Sequence, residues 1–409
     1  MLPAGAAAGE REQRTLREAL IVKEGPGIEG RGGEGAALQR VFGLDLVRAI
    51  AICTVIHHHG YFYFDHLVER QIWHLPVLID GVSLFFVLSG FLIGRILFRA
   101  MAEGRLRTMN HLLRFWERRW WRTLPSYFLM LAILVTVWLI AGRELPDTLW
   151  QYVFFVQNLA WPQPLFFAEA WSLSVEEWFY LLLPLTLILV ARSPDRRRVF
   201  LVWSVIALFL VGPFVLRHIR FQAGIGLEQI EYNYRMIVLY RFDALMVGVA
   251  GAWLAVHAQG LWSKYAKAML VGGLVLLTGI KTNMLVWGHS MWFETVALQT
   301  LTSIAALLCL PFLSAWQPDR PNTLMRCITW IATVSYSMYL VNRALVQQTA
   351  MALLPGWMNG QPQETWRASL IPLLVYWILT LVFTTLLYHG FEKRMTVVRD
   401  KPWWRKPDL

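Results

Sequence analysis

Ten apolar runs, each long enough to cross about 30 Å of hydrocarbon as a helix, divide most of this chain: roughly 44–60, 78–98, 124–141, 175–191, 199–216, 237–256, 268–286, 295–314, 328–350 and 369–389. Hydrocarbon offers no water to backbone N–H and C=O groups, so a spanning segment must satisfy them internally, and runs of this length do so as α-helices. The expected fold class is therefore all-α, a polytopic membrane helical bundle with about ten transmembrane helices. Charged residues make up only 16% of the 409, against about 25% in a soluble domain. Net charge is +11, but the basic residues lie between apolar runs rather than on one solvated stripe, so nucleic acid is not an expected partner.

Lysine and arginine near span ends favour the cytoplasmic side. The even-numbered connections and the C-terminal tail carry 22 of them, the odd-numbered connections seven. Both termini are thus expected in the cytoplasm, with Arg48 at the cytoplasmic end of the first span and His59 towards the other side. Residues 1–40 read as a flexible cytoplasmic tail without the apolar centre of a signal peptide, and REQRTLREALIVKE at 11–24 suits a short surface helix. The membrane domain is expected over 41–392, followed by a basic cytoplasmic tail at 393–409. The stretch 142–171 is apolar but short and reads as re-entrant or interfacial. Cys53, Cys309 and Cys327 have no metal-ligand spacing, so neither a disulfide framework nor a metal site is expected.

Ionisable residues inside apolar spans are costly and are functional suspects. In LDLVRAIAICTVIHHHG, at 44–60, Arg48 and His59 are eleven residues apart, about three helical turns and 16 Å of rise, so they share a face. His57 and His58 diverge from it by roughly 180° and 80°, and three consecutive histidines cannot converge on one ion. A neutral His59 suits a general base; a histidine merely satisfied by a neighbouring helix is the plainer reading. In IDGVSLFFVLSGFLIGR, Gly90 and Gly94 suit close helix packing, and Ser89 lacks a nucleophile elbow. Arg95 and Arg99 share a face, where they either snorkel to lipid phosphate or grip an anionic ligand.

RFWERRWWRTLPSY repeats arginine at 114, 118 and 122 with tryptophans between, the pattern of a basic interfacial helix that anchors to lipid or holds an anionic cofactor. In AWSLSVEEWFYLLLPL, Ser174 and Glu177 have capping-box spacing, while Glu176 needs a partner or a wet cavity. Two adjacent carboxylates diverge by about 100° and do not make a sugar-cleaving pair. Arg241 and Asp243, in YRFDALMVG, also require partners, either in a structural salt bridge or in a site. SYSMYLVNR gathers Tyr336, Tyr339, Asn342 and Arg343 into a polar cluster.

These motifs, in this order over roughly 40–395, resemble acyltransferase family 3, the integral membrane O-acyltransferases that modify cell-envelope glycans and some secondary metabolites. The family's arginine, ten intervening residues and histidine fall on Arg48 and His59. Departures are Trp178 where the family often has glutamine, Asn342 where it often has histidine, and FEKRM from Phe391 where it often has a proline.

The resemblance implies transfer of an acyl group, by default acetyl, from acyl-CoA to a hydroxyl of a saccharide or lipid-linked glycan presented at the far side of the membrane. It points to Arg95 for the CoA phosphates. His59, Arg48 and Glu176 are the candidate catalytic residues. Arg95, Arg99, Arg118 and Arg122 are candidates for the donor, and Arg241, Asp243 and Glu177 for the acceptor. The expected location is the bacterial inner membrane. The rival reading is a transporter or flippase for an envelope precursor or acylated metabolite, with the same charges lining a path; matched broken helices would favour it, and the sequence shows no such pair.

Overall fold

A computed structural model describes residues 40–60, 80–286, 290–356 and 366–400. Most of the N-terminal tail, including 11–24, the connection 61–79 and the residues from 401 onward lie outside the described residues. Every regular element described is helical. The ten main helices are α1 Phe42–Gly60, α2 Gly81–Ala102, α3 Met109–Ile140, α4 Ala170–Ala191, α5 Asp195–Gln222, α6 Phe242–His257, α7 Ala266–Val286, α8 Leu298–Leu313, α9 Thr323–Val341 and α10 Trp366–Leu387.

Seven of these, counting the turns that extend α8, α9 and α10, are long and apolar enough to cross a membrane. Helices α6 and α7 are apolar but carry shorter apolar stretches. Helix α1, interrupted by Asp45, Arg48 and three histidines, occupies the remaining expected place. The approximate count of ten thus has a helix for each apolar run.

The bundle is layered around α2. Within its most apolar window 72% of residues are buried, against 22% for α5, which faces outward. Small residues explain how α2 reaches the centre. A Cβ added at Gly90 would overlap the Leu245 carbonyl, and one at Gly248 would overlap the Val87 carbonyl, so α2 and α6 meet backbone to backbone. Close approach of this kind lets membrane helices gain dispersion contacts where lipid supplies no hydrophobic driving force. Asp80 caps α2, accepting from Val82 N at 3.1 Å and Ser83 Oγ at 2.7 Å.

Two local expectations are corrected. The basic stretch at 114–122 is not a separate interfacial helix: it forms the first half of α3, which continues through Pro125 as one 32-residue helix. Ser174 and Glu177 do not form a capping box, because α4 begins four residues earlier, at Ala170. Ser174 Oγ instead donates to Ala170 O at 3.1 Å and accepts from Gln157 Nε2 at 2.6 Å. The stretch 142–169 contains one short helix, Leu149–Val153, and an irregular remainder. Buried Asn158 ties that remainder down, donating to Trp171 O at 3.0 Å and Met236 O at 2.6 Å. Irregular backbone at membrane depth is tolerated only where protein satisfies it in this way.

Candidate functional site

His59 sits in the last turn of α1, and its ring is held from the ninth helix. Its Nδ1 lies 2.5 Å from Asn342 Oδ1. The Asn342 amide has only one orientation that serves its neighbours, because its Nδ2 donates to Met338 O at 3.0 Å and to Tyr339 O at 2.7 Å. The oxygen therefore faces His59, and the proton between the two residues belongs to His59 Nδ1. That fixes the neutral tautomer and leaves Nε2 with a free lone pair. Gln347 adds a bond from its Nε2 to the His59 carbonyl at 2.7 Å, which holds the end of α1 in place.

Asn342 marks a break in α9. The helix stops at Val341 and continues as wider π-turns over Asn342–Ala350. Such a change of pitch releases backbone donors from the α ladder, and π-turns recur at functional sites for that reason. Glu169, just before α4, takes two of the donors here: its Oε1 accepts from Arg343 N and from Ala344 N, both at 2.7 Å. The other oxygen, Oε2, is buried without a hydrogen-bond partner. Glu169 as a whole is 2% exposed. Burial pushes its carboxyl up to about 7, although both backbone N–H groups pull the other way.

A cavity of about 380 Å³ opens beside these groups, and His58, His59, Glu169, Trp171, Arg235 and Arg343 are among its walls. Arg235 crosses it, bonded to Asp80 at 2.8 Å and to Glu231, with its guanidinium 5.4 Å from the centre of the Trp171 ring. Burial alone would raise Asp80, but the Arg235 and Arg241 guanidiniums and the Ser83 hydroxyl hold it well below the usual carboxylate range.

A second polar cluster lies towards the other end of α1. Arg48 pairs with Asp45 at 2.9 Å, and Arg40 reaches the same carboxylate at 2.5 Å. Arg48 makes no contact with His59, in keeping with the three turns between them. Within electrostatic reach are Arg119 and Arg122 on α3. Arg119 packs over the Tyr180 ring at 4.0 Å, bonds the Tyr180 hydroxyl, lies 3.3 Å from Ser89 Oγ and faces Glu176 at 3.9 Å. Arg122 is exposed. Together Arg48, Arg119 and Arg122 lie within electrostatic reach of Asp45, Glu176, Glu177 and Glu392.

The other residues singled out from sequence fall elsewhere. Arg95 lies 5.7 Å from the centre of the Phe91 ring, Arg99 pairs with Glu103 at 3.6 Å, and Arg118 is exposed. Glu177 accepts from Thr123 at 3.0 Å. Arg241 and Asp243 are fully buried in a network with Arg217, which lies 2.9 Å from Asp243 and also bonds Thr300 at 2.7 Å. Arg241 bonds Ser83 at 2.8 Å and Gln299. This network joins α2, α5, α6 and α8. Neither Arg241 nor Asp243 is on the cavity wall.

Sequence reasoning did not single out Glu169, Arg119, Arg217 or Arg235. Among the described residues no group of three or more histidine, cysteine or acidic side chains forms a metal site.

Residues 41–389 match the family described as "Acyltransferase domain" (Acyl_transf_3). The chain is 26% identical over 388 residues to YrhL of Bacillus subtilis (strain 168), whose name provisionally assigns it as a peptidoglycan O-acetyltransferase; the match covers 86% of this chain and 54% of that protein. It is 25% identical over 391 residues to peptidoglycan O-acetyltransferase OatA of Listeria monocytogenes, covering 89% and 59% of the two chains. Over 194 residues it is 29% identical to O-acetyltransferase OatA of Staphylococcus aureus, covering 43% and 29%. The chain thus spans little more than half the length of YrhL and of the Listeria OatA. No solved structure matches it significantly.

Proposed function

The chain belongs to the acyltransferase 3 family, and on that premise we propose that it is an integral membrane O-acyltransferase moving an acetyl group from acetyl-CoA to a hydroxyl of a cell-envelope glycan. The observation that carries the proposal is the His59–Asn342 pair: Asn342 Oδ1 accepts the Nδ1 proton, and the ring is on the wall of a cavity large enough for part of a sugar chain.

In this reading His59 Nε2 takes the proton of the acceptor hydroxyl as its oxygen attacks the thioester carbonyl. The carbon–sulfur bond breaks, and the CoA thiolate recovers the proton from the imidazolium. Asn342 keeps the ring in the tautomer that can act, and its oxygen faces the positive charge that develops on the ring. The same nitrogen would serve as a transient acyl carrier if transfer ran in two steps.

The donor is proposed to enter from the end of α1 that carries Arg48, with Arg48, Arg119 and Arg122 attracting its phosphates and the pantetheine arm running along the bundle towards His59. The lopsided placement of lysine and arginine supports a topology with that end, and both termini, in the cytoplasm and the acceptor cavity on the outer side of a bacterial inner membrane. The names of the relatives make peptidoglycan the first acceptor to try.

Purified protein in lipid nanodiscs, given acetyl-CoA and soluble glycan strands cut from peptidoglycan, is expected to release CoA and acetylate the strands. His59→Ala is expected to abolish both. Unchanged turnover in that variant refutes the assignment of the base.

A further inference from the structure

The geometry points to Glu169 as the residue that grips the acceptor, its free Oε2 accepting a hydrogen bond from a second hydroxyl of the sugar while the first is presented to His59. This rests on the transfer reaction proposed above and adds to it a residue that determines which acceptors fit.

Three observations converge on it. The carboxylate is rigid, because Oε1 is fixed by two short bonds from the backbone of Arg343 and Ala344. Its second oxygen is buried and has no partner in the protein, an arrangement that is costly unless something else supplies the donor. Glu177 also carries an unpartnered Oε2, but Glu177 does not line this cavity, whereas Glu169 and His59 line it together.

The chemistry of the walls says which ligand fits. Asp80 and Glu231 share Arg235, which leaves Glu169 Oε2 as an acceptor on this wall without a donor of its own. Thioester and phosphate oxygens are acceptors and would meet Glu169 unfavourably. Hydroxyl groups are donors, and one placed against this wall can supply the bond that Glu169 Oε2 lacks.

Asn342 and Glu169 meet at the same break in α9. One sets the His59 ring and the other clasps the peptide groups that follow Asn342. The acceptor's grip and the base's orientation therefore share one support.

Glu169→Gln tests the assignment with little disturbance, since a glutamine carbonyl can keep both backbone bonds and only Oε2 changes, from an acceptor to an amide donor. Full-length wild type and variant in nanodiscs are compared for equilibrium binding of peptidoglycan glycan strands, and for KM of strands and of acetyl-CoA. The variant is expected to bind strands about tenfold more weakly, with a matching rise in their KM, the loss typical of one charged hydrogen bond. KM for acetyl-CoA is expected to stay within about twofold. Should the glutamine variant melt early, Glu169→Asp, which keeps the charge but draws it back by one methylene, is expected to weaken strand binding in the same direction. Equal strand binding by wild type and variant, or no binding by the wild type, overturns the inference. Wild type that binds strands yet releases no CoA refutes the transfer reaction instead.

Discussion

Replacing Asn342 with leucine removes the partner that holds His59 in one tautomer while nearly preserving volume. Asn342 is fully buried, so no water can take over the lost bond. The His59 Nδ1–H would then face methyl groups, and an unsatisfied buried donor costs about 1–3 kcal/mol. The ring can avoid that cost only by turning or by moving its proton to Nε2, and either response removes the free lone pair from the cavity. At 1.4 kcal/mol per factor of ten, the working population falls about 5- to 150-fold.

The loss should appear in kcat, because Asn342 is not on the cavity wall; both KM values should move by less than about twofold. CoA release can be followed with a thiol-reactive chromophore, alongside melting of the variant in the same nanodiscs. Tyr376→Phe is the control: its hydroxyl reaches the same Asn342 oxygen at 3.4 Å, too long to hold the ring, and activity should stay within about twofold. A folded Asn342→Leu protein with kcat within twofold of wild type would show that the pair does not set the tautomer.

Two further outcomes follow from the same geometry. Arg119→Ala is expected to raise KM for acetyl-CoA at least about tenfold and to blunt its salt dependence, read from initial rates across a salt series; unaltered values would separate the arginine cluster from the donor. Glu169 should give stability a pH dependence. Its carboxyl rises on folding from 4.5 to about 7, so the folded chain binds the proton more tightly than the unfolded chain. Its contribution is most favourable below about pH 4.5 and is lost as pH rises through 7, a change on the order of 3 kcal/mol. The melting temperature of wild type should therefore fall relative to Glu169→Gln between about pH 5 and pH 8, and parallel curves would refute the shift.

The all-helical fold and the helical phase of the first span were legible in the sequence because both depend on local periodicity. Apolar length gives the spans, and helical phase sets His59 apart from His57, whereas His58 shares the cavity wall with His59. The rest depends on distant pairings. Glu169 stands before α4 and looks like any carboxylate at a span mouth; its setting is made by peptide groups 174 and 175 residues away, freed by a change of pitch that no residue type announces. Arg119 was hidden by its neighbours, since the four-residue rhythm of 114, 118 and 122 draws the eye to the adjoining face. Arg241 and Asp243 plainly needed partners, but Arg217 sits at the far end of a different apolar run, where it reads as a topology marker. Asn342 stood out as a departure from the family pattern, and its bond to His59 shows how an amide can orient a ring there.

The interlock of α2 and α6 has a mechanical meaning. With Gly90 seated on the Leu245 carbonyl and Gly248 on the Val87 carbonyl, the two helices are keyed like a shaft in its collar. A slide of one residue would drive a side chain into backbone, so neither can ratchet past the other without first coming apart. A carrier that delivers cargo by rocking its halves needs a slipping plane through its middle, and this bundle has a pin there.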